Sequence, residues 1–302
     1  MELKITAELD GMTVKQILYS HLALSRACVS RLKRLEDGIL LENERVTVRA
    51  TVRVGQSLSL ALEDREEEEN LAIEPTECEI EILYEDDDCV AVNKPSGMPT
   101  HPSHGHHGDT LANALVYYYK KQGVPFVFRP VNRLDRETSG VVLVAKNKAA
   151  AARLGAAMAE GHMSKSYVAL LCGIGMPESG TVEGYVARAK ESIIFREFRE
   201  SGTESEYSLT RWTKLAQNAE YTLVEAHPVT GRTHQLRVHF SHIGHPISGD
   251  GLYGNEEGAC GRLALHASRL DFPAKDGVIS VSAPLPDEMK AVCKLLEGEP
   301  NE

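Results

Sequence analysis

A single carboxylate stands between two guanidinium groups in the segment R-P-V-N-R-L-D-R-E-T-S-G, which spans residues 129–140. Asp135 follows Arg133 by two positions and directly precedes Arg136. Nearby positive charges favour the ionised form of a carboxyl group, and an ionised carboxylate can act as a nucleophile or as a base. The pattern therefore permits a reactive carboxylate, and it leaves open a solvated, salt-bridged turn, which would be typical of an isolated Asp-Arg pair.

The residues that follow predict the element that positions Asp135. Residues 141–145, V-V-L-V-A, form an apolar run rich in β-branched side chains between Gly140 and Lys146. Such a run predicts a buried strand. We therefore expect Asp135 on a polar loop at the mouth of this strand.

The composition permits an RNA-binding enzyme. The chain has 302 residues and is 42% hydrophobic, enough for one large core or for a core and a small second domain. Its net charge of −11 is concentrated in residues 63–88, which hold 14 acidic side chains and one basic side chain. The rest of the chain has a net charge of +2, so basic patches that contact nucleic acid are compatible with it.

The cysteines and the hydropathy pattern bear on location. The six cysteines are scattered without a C-x-x-C pair, which is typical of reduced thiols in a cytoplasmic protein. The sequence shows neither a run of about eighteen apolar residues nor a signal-peptide layout at its start. We therefore expect a cytoplasmic protein without a membrane span.

Residues 132–140 resemble the H-R-L-D-R-x-T-S-G signature of the RluA-type pseudouridine synthases, with Asn132 where the family usually has histidine. The resemblance implies that Asp135 is the catalytic aspartate. It also implies that Arg133 fills the space left by a flipped base, so that Arg133 and Asn132 contact the substrate.

Two further motifs extend the resemblance. K-S-Y-V-A-L-L-C-G, residues 165–173, matches the second family motif and implies that Tyr167 is the active-site tyrosine, which would stack on the base and orient it for proton transfer. G-R-T-H-Q-L-R-V-H, residues 231–239, matches a third motif. There the resemblance implies that Arg237 pairs with the catalytic aspartate and that Arg232 and His234 bind substrate.

The third motif also predicts a helix. Thr233 can cap its N-terminus, and the helix would run to about residue 243. His234, Arg237 and Ser241 would then lie on one face. Residues 92–102 and 245–254 match the family as well, and we expect them to form the floor and one side of the cleft.

The implied architecture is α+β, with a mixed, mainly antiparallel sheet in a catalytic domain at residues 78–302. Residues 63–77 are acidic and predict an extended linker. Residues 1–62 are similar to the alpha-L RNA-binding domain, with predicted helices at 13–22 and 25–35 and strands at 39–41, 45–48 and 57–62. The second of these helices would present four cations to RNA phosphates, namely Arg26, Arg31, Lys33 and Arg34.

Periodicity predicts further elements in the catalytic domain. A hairpin is expected at residues 80–84 and 89–93, and helices at 110–121, 148–160 and 286–296. Strands are expected at 165–170, 207–215 and 221–226. Before the first helix lie His101, His104, His106 and His107, which could bind a metal ion. No neighbouring cysteine or carboxylate motif completes such a site, so a loop without a metal is the preferred interpretation.

Three functions compete. The favoured one is a pseudouridine synthase acting on structured RNA, with large-subunit ribosomal RNA preferred and transfer RNA as the alternative. That isomerisation involves no oxidation or phosphate donor, so no cofactor is predicted, and the family implies a monomer. The others are a catalytically silent RNA-binding or ribosome-assembly factor and an aspartate-nucleophile hydrolase acting on small substrates. A binder has no need for Asp135, Tyr167 and Arg237 together, and a hydrolase has no need for the basic N-terminal segment.

Overall fold

The computed structural model describes residues 2–22, 24, 29, 32–33, 35–61, 73–103, 105–190, 192, 194–202, 205–254, 257–275 and 277–297. The chain divides into two compact units, Met1–Glu66 and Glu67–Glu302. Across these described ranges, no helix has both the length and the apolar character needed to cross a membrane.

The first unit contains a small antiparallel sheet with strand order β1-β4-β2-β3. Its strands are β1 (Glu2–Lys4), β2 (Ile39–Leu41), β3 (Glu44–Arg45) and β4 (Ser57–Leu60). The predicted strand at 45–48 is therefore largely wrong, and β1 was not predicted. The buried side chains that join the sheet to the first helical segment include Val14, Ile17, Leu18, Ile39, Leu58 and Leu60.

The helix predicted at 13–22 is present in a modified form. Thr13 caps α1 (Val14–Gln16), because its side chain accepts a hydrogen bond from the Gln16 backbone while the Gln16 side chain accepts one from the Thr13 backbone. The segment continues as a wider π-helical turn, Ile17–His21. Arg26, Arg31 and Arg34 of the second predicted helix lie outside the described residues, whereas Lys33 is described and exposed.

The described part of the second unit forms an eleven-stranded sheet. Its main order is β11-β10-β12-β13-β9-β14-β8-β6-β5, with β15 paired to β14 and β7 paired to β8. Only the β8–β14 pairing is parallel, which confirms the mixed, mainly antiparallel α+β architecture. The strands are β5 (Glu81–Glu85), β6 (Cys89–Lys94), β7 (Arg129–Pro130), β8 (Ser139–Ala145), β9 (Ser164–Cys172), β10 (Ser179–Arg188), β11 (Arg196–Arg199), β12 (Ser205–Gln217), β13 (Tyr221–Pro228), β14 (Leu265–Ala274) and β15 (Gly277–Ser282).

Strand β8 confirms the prediction from the apolar run, and its burial explains that run. All seven of its residues are buried. Val141 and Leu143 pack on one side of the sheet with the helix α3 (Lys148–Ala159). Val142 and Val144 pack on the other side with α2 (Leu111–Lys121). Because both faces are covered, neither set of alternating side chains needs to be polar.

Two more helices cover the β9–β13 part of the sheet. Residues of α4 (Gln235–His242) and α5 (Asp287–Glu297) share one apolar cluster with β9 and β13. The predicted capping by Thr233 is wrong. His234 occupies the position before α4 with a left-handed φ of 58°, and the Gln235 side chain instead accepts hydrogen bonds from Thr230 Oγ1 and the Arg232 backbone N–H.

Candidate active site

The loop that carries Asp135 connects β7 to β8, and its backbone is held at every carbonyl from residue 134 to 137. Lys94 and residues 96–100 supply most of the donors. They support the loop, but none of residues 92–102 lines the cleft described below, so the floor expected there is not observed. The bonds are Thr100 Oγ1 to Leu134 O (2.9 Å), Thr138 N to Asp135 O (3.1 Å), Lys94 Nζ and Gly97 N to Arg136 O (3.1 and 2.9 Å), and Ser96 Oγ to Glu137 O (2.6 Å).

The end of the loop is tied to β14. Arg262 Nη2 donates to Ser139 Oγ over 2.8 Å and to the Leu265 carbonyl over 3.2 Å. Ser139 Oγ also lies 2.8 Å from His266 Nδ1, while His266 Nε2 lies 3.3 Å from the Ala283 carbonyl. Burial lowers the pKa of His266 to about 4, so the ring is neutral at neutral pH. Its Nε2–H then donates to Ala283, and its Nδ1 accepts from the Ser139 hydroxyl.

The side-chain amide of Asn132 forms hydrogen bonds to the backbone of β8. Its Nδ2 donates to the Val141 carbonyl over 3.1 Å, and its Oδ1 accepts from the Leu143 backbone N–H over 2.7 Å. These bonds match the side chain to two backbone groups of β8. Asn132 also lines the cleft described next, and the substrate contact inferred from the sequence stays a prediction.

A cleft of about 300 Å³ opens beside Asp135. Its wall brings together all seven residues that the sequence analysis assigned to catalysis or substrate contact: Asn132, Arg133, Asp135, Tyr167, Arg232, His234 and Arg237. They come from the loop at residues 131–138, from β9, from α4 and from the segment directly before α4. The Asp135 side chain is 29% exposed, so a ligand in the cleft can reach its carboxylate.

The charges nearest Asp135 differ from those that the sequence suggested. Arg136 pairs with Glu137 over 2.7 Å, and Arg133 is exposed. The described nitrogens of ionisable side chains within 4 Å of the Asp135 carboxylate are instead His234 Nε2 and Arg237 Nη1, both 3.9 Å from Oδ2. The electrostatic partners of Asp135 therefore come from α4 and not from its own loop.

Arg237 has a closer partner that the sequence analysis missed. Its Nε and Nη2 donate to the two oxygens of Asp250 over 2.8 and 2.7 Å, and Asp250 is fully buried. Burial opposes the charge on Arg237, but the hydrogen bonds and the negative charge of Asp250 outweigh it and raise the pKa of the guanidinium. The expected pairing with Asp135 is thus shared with a stronger, bidentate pairing to Asp250.

The three residues predicted to share one face of the helix all contact Tyr253, although His234 precedes α4 and is not part of it. His234 Nδ1 lies 2.8 Å from the Tyr253 hydroxyl, and the Arg237 guanidinium lies over the Tyr253 ring at 5.3 Å. Ser241 Oγ donates to the Tyr253 carbonyl over 2.9 Å. Burial lowers the pKa of His234, and the nearby charge of Asp135 offsets this in part. Residues 250–253 thus lie behind Arg237, but none of residues 245–254 lines the cleft, so the side of the cleft expected there is not observed.

Strand β9 presents Tyr167 and, two positions earlier, Lys165 to the cleft. Burial and the negative charge of Asp135 both raise the pKa of Tyr167, so its hydroxyl keeps its proton. Lys165 Nζ donates to the Thr230 carbonyl over 3.2 Å, and burial followed by the charge of Arg232 lowers its pKa. The alternation of side chains along a strand could have identified Lys165 as a cleft residue once Tyr167 was placed there.

The histidine-rich loop does not form a metal cluster within the described residues, where no group of three or more His, Cys, Asp or Glu side chains could hold an ion. The His101 ring packs edge-on against Phe128 at 5.2 Å. His106 Nδ1 lies 2.6 Å from Asp109. His104 lies outside the described residues.

This chain is similar to several known proteins. A family model described as RNA pseudouridylate synthase matches residues 88–242. The uncharacterized RNA pseudouridine synthase YjbO of Bacillus subtilis is 34% identical over 290 residues, which cover 95% of this chain and 99% of YjbO. The ribosomal large subunit pseudouridine synthase D of Zymomonas mobilis is 31% identical over 315 residues, which cover 98% and 97% of the two chains. The solved structure of human RNA pseudouridylate synthase domain containing 1 aligns with a TM-score of 0.57 at 28% identity, covering 74% of this chain and 97% of that one.

Proposed function

Because the chain belongs to the RNA pseudouridylate synthase family, a family of isomerases, we propose that it isomerises uridine in large-subunit ribosomal RNA with Asp135 as its catalytic residue. The observation that carries the proposal is the single cleft in which Asp135, Tyr167 and Arg237 meet. Relatives named ribosomal large subunit pseudouridine synthase D, 31–34% identical to this chain, support ribosomal RNA as the substrate over transfer RNA.

The reaction breaks the bond between ribose C1′ and N1 of uracil and joins C1′ to C5. The proton on C5 is lost and N1 gains one, so atoms balance within the nucleotide and no redox partner or phosphate donor is consumed. Two routes are open to Asp135. It can attack the ribose as a nucleophile, or it can remove a ribose proton to give a glycal-like intermediate. Both routes require its ionised carboxylate.

The surroundings of Asp135 suit this role. A carboxylate in a partly desolvated cleft would otherwise tend to take up a proton. The guanidinium of Arg237 at 3.9 Å opposes that tendency without forming a close hydrogen bond to the reacting oxygens. The protonated hydroxyl of Tyr167 can donate to the base or relay a proton, and its ring offers a surface on which uracil can stack.

A uridine inside a stacked helix must leave the stack before Asp135 can reach its ribose. Arg133 is exposed and also lines the cleft, so its side chain is available at the entrance to fill the vacated space. Arg232 is held by the Tyr207 carbonyl and by Glu206, over 2.9 and 3.2 Å. We assign Arg133, Arg232 and His234 to substrate contact, and Asn132 to support of the loop that carries Asp135.

The N-terminal unit completes the proposal. Its similarity to the alpha-L RNA-binding domain supports RNA binding through the segment that carries Arg26, Arg31, Lys33 and Arg34. A monomeric enzyme in the cytoplasm, where its RNA substrate would be met, belongs to the same proposal.

Pseudouridine mapping tests the function and names the substrate together. Total RNA from cells that lack the gene would be treated with carbodiimide and analysed by primer extension, after complementation with wild type, Asp135→Asn or Asp87→Asn. Asp87 is an exposed aspartate on the β5–β6 turn and serves as the matched control. We expect sites that disappear in the deletion to return with wild type and Asp87→Asn but not with Asp135→Asn. Unchanged maps, with Asp135→Asn fully active in growth or ribosome assembly, would instead identify a silent RNA-binding factor.

A further inference from the structure

Arg237 sits between two carboxylates at unequal distances. Its Nε and Nη2 donate to Asp250 over 2.8 and 2.7 Å, whereas its Nη1 stays 3.9 Å from Asp135. The Arg237 side chain is 6% exposed, so water contributes little to its solvation. The fork-shaped pairing to Asp250 therefore fixes the plane of the guanidinium.

Asp250 is itself immobilised. Besides Arg237, its Oδ1 accepts the backbone N–H groups of Leu252 and Tyr253 over 3.0 and 3.1 Å. The preceding Gly249 has a φ of 75°, and a Cβ at that position would overlap the Arg262 carbonyl, so the turn backbone packs directly on the segment before β14. An acid fixed in this way cannot follow the arginine toward Asp135.

We propose that Asp250 is a positioning residue for the isomerisation, which holds Arg237 at a distance from Asp135. A guanidinium that closed onto Asp135 would occupy the oxygen lone pairs that must attack the ribose or accept its proton. Held by Asp250, Arg237 still favours the ionised carboxylate but leaves its oxygens accessible. The inference rests on the proposed function, because it assigns Asp250 a role in that reaction.

Other charged and titratable groups lie on the elements around Asp135 and stay unsubstituted in the test. They come from β6, from β9, from the residue before α4 and from the loop itself: Lys94, Lys165, Tyr167, His234, Arg133, Arg136 and Glu137. None of them forms the bidentate pair with Arg237. The charge of Asp250 also acts on His234, where it raises the pKa against the effect of burial, so the Arg237→Met background is needed to separate that effect from the release of the arginine.

The test compares wild type, Asp250→Asn, Asp250→Glu, Arg237→Met and the double variant Arg237→Met/Asp250→Asn. The substrate is ribosomal RNA from a deletion strain labelled with tritium at uracil C5, because tritium is released when C5 is joined to the ribose. Release is measured under single-turnover conditions from about pH 3.5 to 9, a range that includes the ordinary titration range of a carboxyl group, together with RNA affinity and folded fraction. Asp250→Asn removes the carboxylate that holds Arg237, so that Asp135 is the remaining carboxylate of this pair next to the guanidinium.

We expect Asp250→Asn to lower the single-turnover rate by at least about tenfold and to move the acid limb of the rate profile to lower pH, with RNA affinity within about twofold of wild type. Asp250→Glu, which keeps the charge, should restore the acid limb toward that of wild type. In the Arg237→Met background, adding Asp250→Asn should cost less than about twofold, since no arginine remains to be positioned. This double variant removes both charges together and so separates misfolding from misplacement of Arg237.

Two results would overturn the inference. One is a rate loss in Asp250→Asn that matches its loss of folded protein and leaves the acid limb unmoved. The other is a full additional loss when Asp250→Asn is combined with Arg237→Met. An absence of tritium release from the wild-type protein would instead contradict the proposed function, so the two failures are distinguishable.

Discussion

The ammonium nitrogen of Lys94 lies 3.1 Å from the carbonyl oxygen of Arg136, the residue that follows Asp135. The same nitrogen donates to the carbonyls of Pro95 and Met98 over 2.9 and 2.7 Å, and the side chain is fully buried. A lysine at the end of β6 thus joins residues 95–98 to the loop that carries Asp135.

Replacing Lys94 with methionine should loosen that loop. The change keeps much of the side-chain volume but leaves the Pro95 and Met98 carbonyls without this donor, whereas the Arg136 carbonyl keeps the Gly97 N–H. Unsatisfied buried acceptors are costly. We expect the free energy of unfolding to fall by roughly 3 kcal/mol, in keeping with that cost, and the turnover rate to fall while RNA affinity is retained. Denaturant unfolding and single-turnover kinetics would measure both effects. Lys120→Met, an exposed lysine on α2, is the control and should change neither.

The same residue predicts a pH dependence of stability. Burial lowers the pKa of Lys94 from an ordinary value of 10.5 to about 7, although the charge of Asp135 opposes the shift. Between these two values the unfolded chain binds a proton that the folded protein does not. The free energy of unfolding contributed by Lys94 therefore rises with pH from about 7 to about 10.5, by at most about 1.4 kcal/mol per pH unit, and is constant below that window. Wild type should show a steeper rise than Lys94→Met between pH 7 and 9, and equal slopes would contradict the prediction.

Gly140 provides a test of how the catalytic loop enters the sheet. Its φ is 114°, and a Cβ there would overlap the backbone of Ala267 on the parallel neighbour β14. We expect Gly140→Ala to destabilise the protein by several kcal/mol or to prevent folding, since both the backbone angle and the strand spacing oppose a side chain. Gly155→Ala, in the exposed part of α3 with open space around it, should stabilise the protein by up to about 1 kcal/mol. Thermal unfolding of the two variants measures the contrast, and a mild effect at Gly140 would count against this packing.

The sequence predicted the elements that follow from local physics. Strand β8 was evident because a strand covered on both faces needs an unbroken apolar run, and α2 was evident from the periodicity of residues 110–121. The residues that line the cleft were named from a resemblance, because no local pattern relates positions 135, 167 and 237.

The sequence did not predict which partner each charged side chain would have in the fold. The motifs contain two aspartates that could pair with Arg237. Only the fold shows that Asp250 forms the bidentate pair and that Asp135 makes the longer contact. A lysine beside Pro95 would ordinarily be placed in solvent, yet Lys94 is buried because three carbonyls converge on it. Likewise, the left-handed φ of His234 depends on the packing around α4. The general preference for threonine at helix N-termini carries no information about that packing.

Tyr167 allows the hydroxyl and the ring to be tested separately. Tyr167→Phe keeps the ring but removes the group that can pass a proton, and we expect the turnover rate to fall by about a hundredfold with RNA affinity unchanged. Because the pKa of Tyr167 is raised by burial and by Asp135, the wild-type rate should show no loss from ionisation of this hydroxyl up to pH 10. Tyr118→Phe on α2 is the control. If Tyr167→Phe is as fast as wild type, the hydroxyl takes no part in the reaction and only the ring contributes.

Lys165 should act on substrate binding and not on the chemical step. One of its ammonium hydrogens goes to the Thr230 carbonyl, and the others are available in the cleft, where a phosphate beside the target uridine would complement the charge. We expect Lys165→Met to weaken RNA binding, to reduce the slope of log affinity against log salt concentration by about one, and to leave the single-turnover rate at saturating RNA within about threefold. Lys120→Met is again the control, because Lys120 lies far from the cleft. Its neighbour Tyr119 bonds to Glu85, which lies near the end of β8 that is remote from Asp135. An unchanged salt slope with a reduced rate at saturation would show that Lys165 instead holds the Thr230 segment in place.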